Sequence, residues 1–96
     1  MSKESAKEFT QKFYNDDEFL MEFCKRDGLK KDATDEEKTE LLMKVSKEMG
    51  YDFTNEEYTS SLEEYFKGQG VMFAIKTFRR INKIAKKAEK EKKKSN

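Results

Sequence analysis

The chain has 96 residues, enough for one small domain with a modest core. Charged residues make up 43% of it and proline is absent, which favours helices joined by short turns over strands. There is no histidine, one cysteine and no glycine-rich phosphate loop, so neither a zinc site nor a nucleophile with its base is expected. We therefore predict an all-α protein that is not an enzyme and holds no metal or cofactor.

The net charge of +1 conceals a division along the chain. Residues 1–66 contain 18 acidic and 10 basic side chains, a net charge of −8, whereas residues 67–96 contain 11 basic and 2 acidic ones, a net charge of +9. Such asymmetry indicates a functional division. The sequence predicts an acidic helical domain over residues 1–66, a glycine hinge over residues 67–70 and a basic segment over residues 71–96.

Two short helices are predicted at the start of the acidic domain. Ser5 and Glu8 form an S/T-x-x-E capping box, and Phe9 and Phe13, four residues apart, share a face of the first helix. Residues 15 and 16 offer a cap for a second helix. That helix carries four apolar residues at the spacing of one buried stripe, which are Phe19, Leu20, Phe23 and Cys24. The lone thiol is expected to pack as a small hydrophobe.

Two further capping boxes lie at residues 34–37 and 54–57 and predict the starts of a third and a fourth helix. Between them an apolar ladder ends at Gly50, a residue free to take positive φ. Phe53 precedes the last box and is placed to staple onto Tyr58. The predicted core is Phe9, Phe13, Phe19, Leu20, Phe23, Leu41, Leu42, Val45, Met49, Phe53, Tyr58 and Leu62.

A fifth helix is predicted over residues 71–90, with apolar residues on one side and basic residues on the other. We expect it to fray into a disordered end over residues 92–96. A cationic amphipathic helix of this kind binds anionic membranes through lipid burial and lysine or arginine contacts. The predicted membrane-facing residues are Ile75, Phe78, Ile81, Arg79, Arg80 and Lys83.

The turn between the third and fourth predicted helices, which we call the corner, has a distinctive sequence. The run GYDFTNEE at residues 50–57, with AKEF at 6–9 and DDEFL at 16–20, resembles the Nif-eleven-like leader domain over roughly residues 4 to 66. The resemblance implies an N-terminal leader that a maturation enzyme or peptidase-transporter reads and later removes. It implies partner recognition by Tyr51, Phe53, Tyr58, Leu62 and Tyr65. Cleavage would fall at Gly68, Gln69 and Gly70, where the family usually has a Gly-Gly or Gly-Ala pair.

The first hypothesis is therefore a precursor of a ribosomal natural product or bacteriocin-like peptide, in which an acidic leader masks a cationic core. It implies synthesis in the cytoplasm and export of the C-terminal part, without a small-molecule substrate. The tail has no cysteine, so lanthionine rings cannot form within it.

The second hypothesis is a stand-alone helical interaction protein of the bacteriocin-immunity or regulatory type. On that view the basic helix docks on the acidic bundle, and Ile75, Phe78 and Ile81 are ordinary core. Nucleic-acid binding through the basic helix is a third reading, which we do not favour because the acidic bundle would repel phosphates.

Overall fold

The computed structural model describes residues 2–30 and 32–94, with side chains through Lys92. Within these residues the secondary structure is entirely helical, which confirms the predicted all-α bundle. The helices are α1 (Lys3–Asn15), α2 (Asp17–Lys25), α3 (Asp35–Glu48), α4 (Asn55–Phe66) and α5 (Val71–Lys94).

Helix α1 begins earlier than predicted. The side chain of Ser2, whose backbone is extended, accepts a hydrogen bond from the amide of Ser5 at 3.0 Å, so Ser2 is the cap. The Ser2 amide in turn donates to the carbonyl of Asp52 at 3.2 Å. The predicted box of Ser5 and Glu8 is therefore wrong, because the anchored serine three residues upstream already satisfies the helix start.

Helices α2 and α3 begin where the sequence predicts. The Asp16 carboxylate accepts from the Phe19 amide at 3.1 Å, and the Thr34 hydroxyl accepts from the Glu37 amide at 3.2 Å. After α2 the chain turns at Gly28, whose position directly under a phenylalanine ring leaves no room for a side chain. The capping bonds of Asp16 and Thr34 each lie within one helical turn, so they fix the starts of α2 and α3 independently of the core.

The corner between α3 and α4 has every predicted feature. Gly50 takes a φ of +96°. The Thr54 hydroxyl accepts from the Glu57 amide at 3.1 Å while the Glu57 carboxylate accepts from the Thr54 amide at 2.8 Å, which completes the capping box. The rings of Phe53 and Tyr58 stack with centroids 5.8 Å apart, so the predicted staple is confirmed.

Helices α1 and α4 pack side by side and run in the same direction. Phe9 meets Tyr58 with ring centroids 6.1 Å apart, and further along both helices Tyr14 stacks on Tyr65 at 4.9 Å. The parallel arrangement is possible because α2, α3 and the corner connect the end of α1 to the start of α4.

The core is centred on the fully buried ring of Phe9. Six aromatic rings have centroids within 5.2 to 6.1 Å of it: Phe13, Phe19, Phe23, Tyr51, Phe53 and Tyr58. Leu41 and Leu62, predicted as core, are only half-buried and lie outside the cluster. For Leu41 the reason is that α3 buries residues only in its second half, at Val45 and Ser46.

Helix α5 contributes residues to the core, although the sequence predicts a separate basic segment there. Ile84 is 8% exposed and Ala88 is 1% exposed, and both belong to the same buried cluster as Phe9. The helix also continues to Lys94, past the predicted start of fraying at Lys92, because its last turns contact the end of α2. The final two positions, 95 and 96, lie outside the described residues.

Candidate interaction surface

Helices α2 and α5 form the largest helix contact in the bundle and run parallel. Near the start of α2, the Arg80 guanidinium donates through Nε to Asp17 Oδ1 at 2.7 Å and through Nη1 to the carbonyl of Phe13 at 3.1 Å. At the other end, Lys25 Nζ lies 2.9 Å from Glu91 Oε2. One arginine thus ties α5 to both α1 and α2.

A further pair joins Lys92 to Asp27 just beyond α2. In this pair and in the Arg80–Asp17 pair, the cation lies on α5 and the carboxylate lies in the acidic domain. In the Lys25–Glu91 pair, the carboxylate lies on α5 instead. The two lysine pairs are exposed and each contribute roughly 0.2–1 kcal/mol, so they orient α5 more than they hold it, whereas the Arg80 side chain is partly shielded from solvent. The docking is stabilised chiefly by the burial of Ile84 and Ala88.

The five predicted recognition residues do not form a shared exposed surface. Phe53 is 3% exposed, and Tyr51 and Tyr58 flank the centre of the core. Tyr65 is half-buried and lies with its hydroxyl 3.4 Å from the Asn15 side chain, while Leu62 is half-buried on α4. The aromatic rings of Tyr51, Phe53 and Tyr58 belong to the core or pack against it, and a partner cannot reach Phe53 in this fold.

Three buried groups in the bundle remain neutral at physiological pH. Burial raises the pKa of the Cys24 thiol to about 11. Burial likewise raises the pKa of Tyr58 and of Tyr14, whose hydroxyls are hydrogen-bonded to each other. Because a thiol needs its thiolate form to act as a nucleophile, the environment of Cys24 suits packing rather than reactivity.

The connection between α4 and α5 is exposed at each of its four residues. Gly68 takes a φ of +77°, a conformation that favours glycine. The predicted cleavage residues Gly68, Gln69 and Gly70 therefore lie together on an accessible turn.

The first two turns of α5 carry large apolar side chains in solvent. Val71 is 76% exposed, Met72 65%, Ile75 37% and Phe78 56%. One or two exposed apolar residues are common on a protein surface, but four of them within eight positions form a patch. This concentration marks the start of α5 as a candidate contact surface.

The predicted membrane-facing set is divided by the fold. Ile75, Phe78, Arg79 and Lys83 are exposed. Ile81 instead packs against the core, and Arg80 is held by Asp17, so these two residues do not face solvent freely. The reason is geometric: the side of α5 that meets α2 includes positions that a helical wheel alone assigned to the membrane.

An apolar cleft of about 270 Å³ opens where α3, α4 and α5 stand apart. Its apolar walls come from five residues: Leu29, Leu42, Tyr58, Ile81 and Ala85. Lys30 and Lys38 also line it. The cleft could not be predicted from local sequence patterns, because it arises from the spacing of three helices that begin far apart along the chain.

Three carboxylates of the acidic domain have structural roles. Asp16 and Glu57 complete helix starts, and Asp17 pairs with Arg80. In the described part of the chain, no group of three or more His, Cys, Asp or Glu residues is arranged to hold a metal ion. None of the helices over residues 2–30 and 32–94 has the length and apolar character needed to cross a membrane.

No protein-family model, curated protein or solved structure matches the chain. The resemblance to the Nif-eleven-like leader domain therefore stays a prediction based on the sequence of the corner.

Proposed function

We propose that the chain is a small helical interaction protein, of the immunity or regulatory type, in which α5 is a permanent part of the bundle. The observation that carries this proposal is the burial of Ile84 and Ala88 in the cluster built around Phe9. A segment made for release would not be expected to share a core with its carrier.

The consequence of releasing α5 supports the same reading. Loss of the helix would uncover the face of α2 that it contacts and would leave Asp17 and Asp27 without their partners on α5. A leader with a newly exposed apolar face would tend to aggregate, since large exposed patches on small proteins mediate association. An interaction protein that keeps α5 in place avoids this cost.

Mass spectrometry of the chain purified from its producing cells tests the proposal. We expect the chain to be uncut across residues 67–70 and unmodified over residues 71–94. Recovery of two fragments that meet within residues 67–70 would contradict the proposal and favour a precursor peptide.

A precursor peptide is the second candidate, and the exposed turn at Gly68 and Gly70 favours it because a peptidase could reach that turn. Its masking idea can be tested with anionic vesicles. If an acidic leader masks a cationic product, a peptide of residues 71–96 will bind phosphatidylserine vesicles more tightly than the whole chain. Equal affinity would count against the masking idea.

A further inference from the structure

One apolar surface runs from the exposed start of α5 into the cleft. Val71, Ile75 and Phe78 follow one another at helical spacing and form an apolar stripe. One turn beyond Phe78, the same side of α5 presents Ile81 and Ala85, which line the cleft. We call the stripe and the cleft together the α5 groove.

The charged side chains that line the α5 groove are of one sign. The only charged residues among the described ones that line the cleft are Lys30 and Lys38. Every charged residue of α5 before Glu89 is basic. Arg79 is exposed next to Phe78 of the stripe, and Lys86 is exposed next to Ala85 of the cleft. This surface is basic although residues 1–66 carry a net charge of −8.

We propose that the α5 groove binds an acidic amphipathic helix of a partner protein, an inference that rests on the proposed function. Apolar side chains on one face of such a helix would cover the stripe and enter the cleft, as in other helix-in-groove complexes. Acidic side chains on its flanks would face the lysines and Arg79, and this charge complementarity would guide encounter and register. The occupant is thus specified by apolar shape and by charge together.

The length of the groove fits such a partner. From Val71 to Ala85 the helix axis covers about 21 Å at 1.5 Å per residue. A partner helix lying along it needs about four turns, or roughly 14 residues, to reach both ends. Anchors at positions i, i+3, i+4 and i+7 would then meet the stripe and the cleft in succession.

A membrane is a poorer match for the same surface. The cleft is concave and walled by α3 and α4, which a flat bilayer cannot fill but a side chain can. Of the predicted membrane-facing residues, Arg80 is held by Asp17 within the bundle, and Ile81 lies inside the cleft, where a flat bilayer does not reach. The geometry therefore favours a protein helix over a lipid surface.

The test uses the full chain labelled with ¹⁵N and two synthetic 18-residue amphipathic peptides. Both peptides carry leucine at the anchor positions, but one has glutamate and the other lysine at its flanks. We expect the glutamate peptide to shift the amide signals of Ile75, Phe78, Ala85 and Leu42, with an affinity at least tenfold higher than that of the lysine peptide.

Two variants and their matched controls locate the contact. Phe78→Asp is expected to weaken binding of the glutamate peptide at least tenfold, whereas Lys76→Asp, also exposed on α5, is expected to weaken it less than threefold. Lys38→Glu is expected to weaken it several-fold, and Lys44→Glu on the same helix is not. All four positions are exposed, so helical circular dichroism should be retained.

Four results would overturn the inference. These are no signal shifts with the glutamate peptide, equal affinity for both peptides, a dimer of this chain that Phe78→Asp abolishes, and binding to phosphatidylserine vesicles without peptide binding. Amide exchange of α5 separates the two proposals. If α5 is protected and the peptide does not bind, only the groove inference fails, whereas an unprotected α5 removes the proposed function itself.

Discussion

The Arg80 guanidinium lies 2.7 Å from the carboxylate of Asp17, a residue 63 positions earlier in the sequence, and so joins α5 to α2. The same guanidinium donates to the carbonyl of Phe13 near the end of α1. Because α1 ends at Asn15, this helix has no amide four residues further on that could donate to that carbonyl. Arg80 is therefore the residue at which the basic segment becomes part of the acidic bundle.

Replacing Arg80 with alanine should lower the free energy of unfolding by about 1–2 kcal/mol, the range for a charged hydrogen bond that is partly shielded from solvent. Urea denaturation followed by circular dichroism measures it. The control is Arg79→Ala, an exposed neighbour of the same chemistry, which should change stability by less than about 0.5 kcal/mol. Equal effects of the two substitutions would show that Arg80 does not fix α5.

Gly28 is required by the close approach of its backbone to Phe23. A Cβ atom at position 28 would lie 2.4 Å from the Phe23 ring, so Gly28→Ala must displace a buried side chain. We expect a loss of about 1–3 kcal/mol in the free energy of unfolding, as for other overpacked cores. Gly70→Ala is the control, because nothing lies within 4 Å of a Cβ placed there. A neutral Gly28→Ala would mean that Phe23 is not fixed under the turn.

The buried thiol of Cys24 predicts a loss of stability in alkaline solution. Burial raises the pKa of the folded thiol to about 11 from an ordinary value of 9.0. Below pH 9 both states keep the proton, whereas between pH 9 and 11 only the unfolded chain releases it. The free energy of unfolding should therefore fall by about 2–3 kcal/mol over this range.

Urea denaturation of Cys24→Ala as a function of pH checks this assignment. The variant is less stable at pH 7 because it leaves a small cavity, but its stability should stay constant until about pH 10. Above that pH the raised pKa values of Tyr14 and Tyr58 produce a further fall in both proteins. An identical pH profile for the two proteins would exclude the thiol as the cause.

Placing a charge on the buried face of α5 should disrupt the whole bundle. Ala88→Asp puts a carboxylate where the native side chain is 1% exposed, and an unpaired buried charge costs several kcal/mol. Thermal unfolding should show a large drop in Tm and loss of near-UV signal from the aromatic core. Lys90→Asp, an exposed position on the same helix, is the control. If Ala88→Asp only frees α5 and leaves the aromatic core ordered, α5 is a separable segment.

Local chemistry allowed most of the bundle to be predicted. The caps at Asp16, Thr34 and Thr54 depend on residues within one turn, so a short sequence contains all the information needed. The aromatic core around Phe9 follows from helical spacing in the same way. The predicted start of α1 is wrong because either Ser2 or Ser5 could cap the helix. Ser2 is the cap in the structure, where its amide also donates to the carbonyl of Asp52, a residue far away in the sequence.

The interaction surface was harder to predict because it depends on how helices pack. A helical wheel places Ile75, Phe78 and Ile81 on one side of α5, but only the packing of α5 on the other helices decides that Ile81 contacts the core while Phe78 is exposed. The predicted recognition residues on the corner and α4 illustrate the same limit. Their apolar and aromatic side chains suit either a core or a partner, and only the folded structure shows which of them are buried.

Native-state hydrogen exchange of the full chain shows whether α5 belongs to the same cooperative unit as α1 and α2. We expect the amides of Ile84 and Ala88 to exchange with the same opening free energy as the amide of Phe23, close to the global value. If amides throughout α5 instead exchange at the rate of an unstructured peptide while Phe23 remains protected, α5 is not part of the bundle.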